Sequence, residues 1–594
     1  MQPYIPKTLV CIALAMLSFI VFADVRHHSY VLYDDIIIVN SPHFTSDLSL
    51  QNIISTAFNP PPRHIPYQMP LPLIAYMSLW HLFGENLGIH HVFSVFLHTI
   101  TAILLFIFFA RTTRRVGESA VVAALFTVHP LNVEPVCWYS GLNGIMAGFF
   151  FVLSLLTYSY YTRLPSVKRY VLILLFFGLS LLCKPTIIIL PLLLLFLDLW
   201  PLERTALSLH AAGPNIQPPA DSPLPHCRQK LKWLIIEKIP MIVLAGALSL
   251  VPTIMAARPS AHNGFDLTIV QPGAFLYYLE RLWKTIYPVE LTIYNPHPGD
   301  ISPTAIAGAG LIFAGIIMTG LVIHRRHNDR KLLLSVLVGW LWYFTCLAPA
   351  VGIFTCSGRS IGDRHTYMAL IGLFLMGTWI FSAITRYLKT PSSIRFLLVL
   401  LIIGAFAIIS SRQVNQWKDS TTLFTHETRL HPKNPKAHTN LGDAFMEKND
   451  IRKAIHYFKK AQELAPDKAI TNTKMGTALY HLGEFDAAIG YYRKALAIEP
   501  DYTVAHNNLG NLFLERGETT KAIEQYKKAI ATRPLSYKLH NNLATAFIQN
   551  GRVQEAIFHL NKAIAINPDY KVAKKNLENL MSRIQKGELS PSER

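Results

Sequence analysis

A chain of 594 residues that is 51% hydrophobic and only 15% charged is too apolar on average for an ordinary soluble enzyme. Its net charge of +19 does not mark a nucleic-acid binder, because the basic residues gather in short clusters between apolar stretches instead of forming one face. The six cysteines include no CxxC pair, so neither a metal cage nor a disulfide framework is indicated.

Each membrane crossing needs about 20 mainly apolar residues. Stretches of that kind lie near 7–24, 89–110, 119–137, 144–162, 169–183, 185–200, 237–256, 302–324, 331–354, 366–386 and 395–411, about 11 in all. The first reads as a span and not a cleaved signal, since no small-x-small cleavage site follows Phe22-Ala23-Asp24. Lys and Arg crowd the alternate loops at 111–115, 163–169, 228–232, 325–331 and 386–395, which are therefore expected in the cytoplasm. The loops at 24–88, 130–143, 257–301 and 355–365 are poorer in cations. An odd number of spans then puts the carboxy-terminal region in the same compartment as the 24–88 loop.

Candidate chemistry begins just past the first span, at Tyr33-Asp34-Asp35. The two carboxylates sit between Val31-Leu32 and Ile36-Ile37-Ile38-Val39, so they are held near the membrane surface, where partial burial beside a like charge suits a general base. A pair of solvated loop aspartates is the plain alternative. His129-Pro130 with Glu134 and Trp138 either lines a site or forms a capping turn with an interfacial tryptophan. Lys184 lies between two apolar stretches, where an ammonium needs a partner or snorkels to the interface. Tyr294-Asn295-Pro296-His297-Pro298 reads as a rigid turn. In Asp363-Arg364-His365 the arginine pairs with its neighbour, anchors at the interface, or offers charge to an anion. The 24 histidines are scattered, without HExxH spacing, so a divalent metal is unsupported.

From residue 434 onward the chain repeats every 34 residues. Prolines fall at Pro432, Pro466, Pro500, Pro534 and Pro568, in register with Gly442/Gly476/Gly510/Ala544 and with Phe458/Tyr492/Tyr526/Leu560. Small residues let paired helices approach closely, large ones fill the groove of the next pair, and proline ends the second helix. That period and order resemble the tetratricopeptide repeat (TPR). The expected organisation is a membrane domain over 1–418, a linker over 419–434, four repeats over 435–570, and a capping helix with tail over 571–594. In the capping helix Val572, Leu577 and Leu580 fall at helical spacing. First-helix asparagines Asn440, Asn508 and Asn542 would line a concave groove suited to a peptide backbone. The fold class is all-α, a polytopic helical membrane domain followed by an α-solenoid.

An acidic motif in the first external loop of a many-spanning chain resembles the GT-C glycosyltransferases. The ordered set of segments resembles one branch, the transmembrane-and-TPR O-mannosyltransferases and their bacterial relatives. Those segments are Val31–Asp35, Ala124–Pro130 with Glu134 and Trp138, Leu181–Pro185, Leu197–Leu202, Tyr294–Pro298 and Gly362–Tyr367. The resemblance implies inverting transfer from a polyprenyl-phosphate sugar to a protein hydroxyl held by the TPR array, with no further cofactor. Asp34 would be the base and Asp35 its support, though either carboxylate could hold the role. Arg364, Lys184 and Arg63 would meet the donor phosphate, and His129, Glu134, His297 and Asp363 would line the substrate site. Where relatives carry Tyr-Arg-Pro-Leu, this chain has Tyr67-Gln68-Met69-Pro70-Leu71, so Arg63 replaces that arginine or the contact is absent. The implied setting is the bilayer of a bacterial inner membrane with a periplasmic array, or a lumenal array in a eukaryote. A non-catalytic membrane-anchored TPR scaffold is the competing reading, and a lipid-linked sugar flippase a third.

Overall fold

The computed structural model describes residues 6–31, 35, 48–49, 51–54, 70–204, 231–255, 274–293, 329–350, 362–568 and 570–589, with isolated positions between 307 and 322. The chain forms two units, Met1–Asp419 and Ser420–Arg594. Among the described residues every regular element is helical.

The first unit contains α1 (Lys7–Val21), α2 (Pro70–Phe83), α3 (Leu87–Thr113), α4 (Val116–Val128), α5 (Val133–Cys137), α6 (Leu142–Tyr161), α7 (Val167–Cys183), α8 (Leu190–Leu199), α9 (Leu231–Met255), α10 (Ala274–Ile286), α11 (Arg330–Leu347), α12 (Ala369–Tyr387) and α13 (Ser392–Gln416). Among the described residues five helical stretches are long and apolar enough to cross a membrane: α3, the run Tyr139–Tyr161 that includes α6, α11, α12 and α13. A sixth is α4 together with Pro130–Cys137, bent by 54°. This is a multi-pass membrane protein. Of the other expected spans, α1 and α7 reach only 15 and 17 residues, Pro185–Leu199 is shorter than a full crossing, and α9 carries Lys232, Glu237 and Lys238. The stretch 302–324 lies mostly outside the described residues.

Two local causes shape this unit. Pro130 has no N–H to continue α4, and Asn132 Nδ2 donates to the Phe126 carbonyl at 2.7 Å across the break. The break leaves Glu134–Ser140 as a compact turn ahead of α6, built from α5 and the start of a 3-10 turn at Tyr139–Gly141. On α11 and α12 the backbones approach closely, because a Cβ on Gly339 would lie 2.7 Å from the Gly372 carbonyl oxygen. By contrast α13 buries none of its apolar window within the protein, as suits a helix facing lipid.

A buried ionic network joins α6, α8 and α9. The Tyr158 hydroxyl donates to Asp198 at 2.7 Å and accepts from Lys238 Nζ at 2.6 Å and from Arg204 at 2.5 Å. Lys238 also meets Asp198 at 3.1 Å, and Arg204 meets Glu237 at 2.8 Å. Two carboxylates and two cations neutralise one another around a phenol whose donor and lone pairs are all engaged, which a buried polar cluster requires.

The second unit opens with α14 (Ser420–Leu430), where a linker was expected. Leu423 and Phe424 are buried there, and α14 packs on the first repeat, which explains why this stretch is ordered. Four helix pairs follow: α15 (Pro435–Glu447) with α16 (Ile451–Leu464), α17 (Ala469–His481) with α18 (Phe485–Ile498), α19 (Thr503–Glu515) with α20 (Thr519–Thr532), and α21 (Tyr537–Gln549) with α22 (Val553–Ile566). The closing helix is α23 (Lys571–Gln585). Leu580 is buried and Leu577 packs against the array core, as expected, but in the first turn Ala573 is buried while Val572 is 49% exposed.

The repeat positions explain themselves at the pair crossings. A Cβ on Gly510 would lie 2.8 Å from the Tyr526 ring, and one on Gly476 would lie 2.7 Å from the Tyr492 ring. In the fourth pair the aromatic is replaced by Leu560 and the glycine by Ala544, and both are fully buried. The smaller partner makes room for the methyl. Gly510→Ala alone should therefore lower array stability by about 1–3 kcal/mol through overpacking, and adding Tyr526→Leu should recover part of it. Chemical denaturation followed by far-UV circular dichroism would test this; equal loss in single and double variants would refute the coupling.

Candidate functional site

The turn Glu134–Ser140 holds one functional group at each end. At its carboxy-terminal end, Ser140 donates its backbone N–H to Asp35 Oδ1 at 3.0 Å, and its hydroxyl donates to the same oxygen. The Val31 N–H donates to Oδ2 at 3.0 Å. Asp35 is fully buried, and both of its oxygens are occupied by donors. A carboxylate held in this way ties Val31 to Ser140.

At the amino-terminal end of the turn, Glu134 receives the Arg364 backbone N–H at 3.1 Å and its guanidinium at 2.9 Å. The guanidinium also lies over the Trp138 ring, 4.7 Å from the centroid. Gly362 leaves room for the pair, because a Cβ there would lie 2.6 Å from the Arg364 guanidinium. The Arg364 side chain keeps 31% of its surface exposed, so it can still meet a ligand. Arg364 thus pairs across the fold with Glu134 and not with its neighbour Asp363.

Asp363 instead joins α10. It pairs with Arg281 and lies 3.9 Å from Lys284, and Lys284 pairs with Glu280 at 3.0 Å. Lys184, at the end of α7, is close enough for the charges of Arg364 and Glu134 to act on it. The cluster therefore gathers four cations, Lys184, Arg281, Lys284 and Arg364, against three carboxylates, Glu134, Glu280 and Asp363. A surplus positive charge held by buried and partly buried cations beside buried carboxylates is what an anionic group would seek.

His129 has a different part. It is fully buried, its Nε2–H donates to the Thr285 carbonyl at 2.8 Å, and its Nδ1 accepts the Leu131 N–H at 3.3 Å. With both nitrogens engaged by backbone, it ties the break after α4 to the end of α10. Asp34, Arg63 and His297 lie outside the described residues. In the array, Asn508 donates to Thr477 Oγ1 at 3.2 Å and Asn542 donates to Asn507 at 3.0 Å, so each spends an amide proton on the preceding repeat. Asn440 is half-buried on α15. Among the described residues no three His, Cys, Asp or Glu side chains are placed to hold a metal ion.

The sequence reading passed over Ser140, Arg281, Lys284 and Glu280. The last three were visible as an i,i+4 Glu–Lys pair with an adjacent Arg in a far-side loop that otherwise holds few cations. Ser140 carries no such signal, because a lone serine after a tyrosine is unremarkable.

Tetratricopeptide-repeat models match residues 435–468, 467–534 and 507–571. Along 423 residues the chain is 23% identical to protein O-mannosyl-transferase TMTC1 of Homo sapiens, covering 67% of this chain and 48% of that protein. It is also 23% identical to protein O-mannosyl-transferase TMTC4 of Mus musculus over 503 residues, covering 75% and 65% respectively. The chain thus spans less than two thirds of the length of these relatives. The crystal structure of MamA protein matches at 26% identity and a TM-score of 0.23, over 25% of this chain and 81% of that one.

Proposed function

We propose that this chain, which resembles the transmembrane-and-TPR protein O-mannosyltransferases in its repeats and in the order of its parts, is a membrane glycosyltransferase of the GT-C type. It moves a sugar from a polyprenyl-phosphate donor to a hydroxyl of a protein held by the array. The observation that carries this reading is the turn Glu134–Ser140, which fixes Arg364 at one end and Asp35 at the other. Base and leaving-group charge must lie on either side of one sugar carbon, and a short rigid turn sets that separation.

In the proposed reaction Asp34 takes the proton of the acceptor hydroxyl, while Asp35, with its oxygens occupied, anchors the loop. The acceptor oxygen forms its bond to the anomeric carbon from the face opposite the phosphate. The bond between that carbon and the phosphate oxygen breaks, and the electron pair leaves with the lipid phosphate. Arg364, Lys184 and Lys284 stabilise the negative charge that gathers there. The cation-rich loops are assigned to the cytoplasm and the reaction to the opposite side, periplasmic in a bacterial inner membrane or lumenal in a eukaryote.

The deciding experiment incubates the purified protein in detergent with polyprenyl-phosphate mannose, glucose or an N-acetylhexosamine, plus an acceptor peptide. Acceptor-dependent release of lipid phosphate from one of them is the expected result. Release from none would favour the non-catalytic scaffold. Arg364→Ala should lower kcat/KM for the donor by roughly 10–100-fold, the weight of one charge-assisted hydrogen bond, while acceptor affinity stays the same. An equal fall in donor and acceptor use would give Arg364 a purely structural role.

A further inference from the structure

The second unit is rich in charge, with 26 Lys and Arg against 18 Asp and Glu over residues 420–594. The seam where its first helices meet is not. Consecutive first helices touch one another along the array, and apart from the Tyr480–Glu515 bond the side chains that bridge them sit at three register positions, those of Asn507, Asn508 and Asn511. Over the four repeats and α23 these positions recur every 34 residues from Thr439 to Asn579, and twelve of the fifteen are Asn or Thr. Of the three charged ones, Lys474 and Asp443 neutralise each other at 2.7 Å; the third, Lys575, lies in the closing helix.

The uncharged residues are tied together. Asn508 donates to Thr477, Asn542 to Asn507, and Asn576 to Asn541 at 2.9 Å. The Tyr526 hydroxyl donates to Asn511 at 2.6 Å. The wall is therefore a pre-organised lattice of carboxamides and hydroxyls that both donate and accept.

We propose that this wall selects, as the acceptor, an extended peptide segment that is uncharged and bears hydroxyl side chains. The inference rests on the acceptor-holding role of the array and narrows it to a class of sequence. Peptide amides, carbonyls and Ser or Thr hydroxyls match such a lattice group for group. A Lys or Glu laid against its middle, from Thr477 to Asn542, would lose water among carboxamides and hydroxyls, since Lys474 and Asp443 are already paired, Glu515 is engaged by Tyr480 and Lys575 lies at the closing end. Exclusion of charged segments then supplies as much of the selectivity as attraction does.

The test measures fluorescence anisotropy of labelled peptides on the full-length protein in detergent. One peptide is built from Ser, Thr and Ala; two others have alternate residues changed to Lys or to Glu. The uncharged peptide should bind roughly tenfold tighter than either charged one. Asn508→Asp with Asn542→Asp should turn the preference toward the Lys peptide, since Thr477 and the Asn507 amide can rotate to serve a carboxylate. Asn508→Ser with Asn542→Ser, polar but neutral, should keep the original preference. Equal binding of all three peptides, binding of none, or no shift with the aspartate pair would overturn the inference. If transfer proceeds while the peptide pattern fails, the groove specificity alone is wrong. If the pattern holds while no polyprenyl-phosphate sugar is consumed, the glycosyltransferase reading is wrong and the groove specificity stands.

Discussion

Replacing Asp34 with asparagine should slow sugar transfer by about 10²–10⁴-fold, the usual weight of a lost general base, while leaving the melting temperature of the protein unchanged. Asparagine keeps the size of the side chain and much of its hydrogen bonding but cannot take the proton. Asp35→Asn should behave differently. Three donors, the Ser140 N–H and hydroxyl and the Val31 N–H, converge on that carboxylate, and an amide offers only one accepting oxygen. At least one donor then faces an N–H₂ group in a buried place, which costs about 1–3 kcal/mol. Activity and melting temperature should fall together. Steady-state kinetics beside thermal unfolding in detergent would separate the two, and full activity with asparagine at both positions would remove the catalytic role from the motif.

The largest stability effect is expected far from that motif in sequence, at Lys238. Its ammonium is almost wholly buried and meets Asp198, Glu237 and the Tyr158 hydroxyl. Lys238→Met leaves Asp198 and Glu237 with Arg204 as their one cation, and an uncompensated buried charge costs about 3–5 kcal/mol. Asp198→Asn together with Lys238→Met removes a charge of each sign and should lose less than the lysine change alone. Thermal unfolding monitored by intrinsic fluorescence would read both, and an unaltered transition for Lys238→Met would show that the network carries no stability.

These two sites also mark how far the sequence could be read. The 34-residue register exposes the array, because a packing rule repeated four times leaves the same residue types at the same spacing. The acidic motif and Arg364 were visible as charges in apolar surroundings. The partner of Arg364 was not visible, since Glu134 lies 230 positions away and nothing local ties the two; adjacency suggested Asp363 instead. The membrane helices were harder. Apolar runs mark α3, α11, α12 and α13 well, but α9 hides its charged face in an apolar run. The first turn of α23 misled for a similar reason, since helical spacing alone does not say which of two adjacent stripes meets the preceding pair.

The amide and ammonium bonds between first helices point the same way. Lys474 donates to Asp443, Asn508 to Thr477, Asn542 to Asn507 and Asn576 to Asn541, so along these register positions the proton is given to the repeat before, while at the end of the helices the Tyr480 hydroxyl donates forward to Glu515. The wall therefore has a grain. A strand laid along it from amino to carboxy end and the same strand reversed would meet different sequences of donors and acceptors, and a peptide and its sequence-reversed counterpart, identical in composition, would not be equivalent guests.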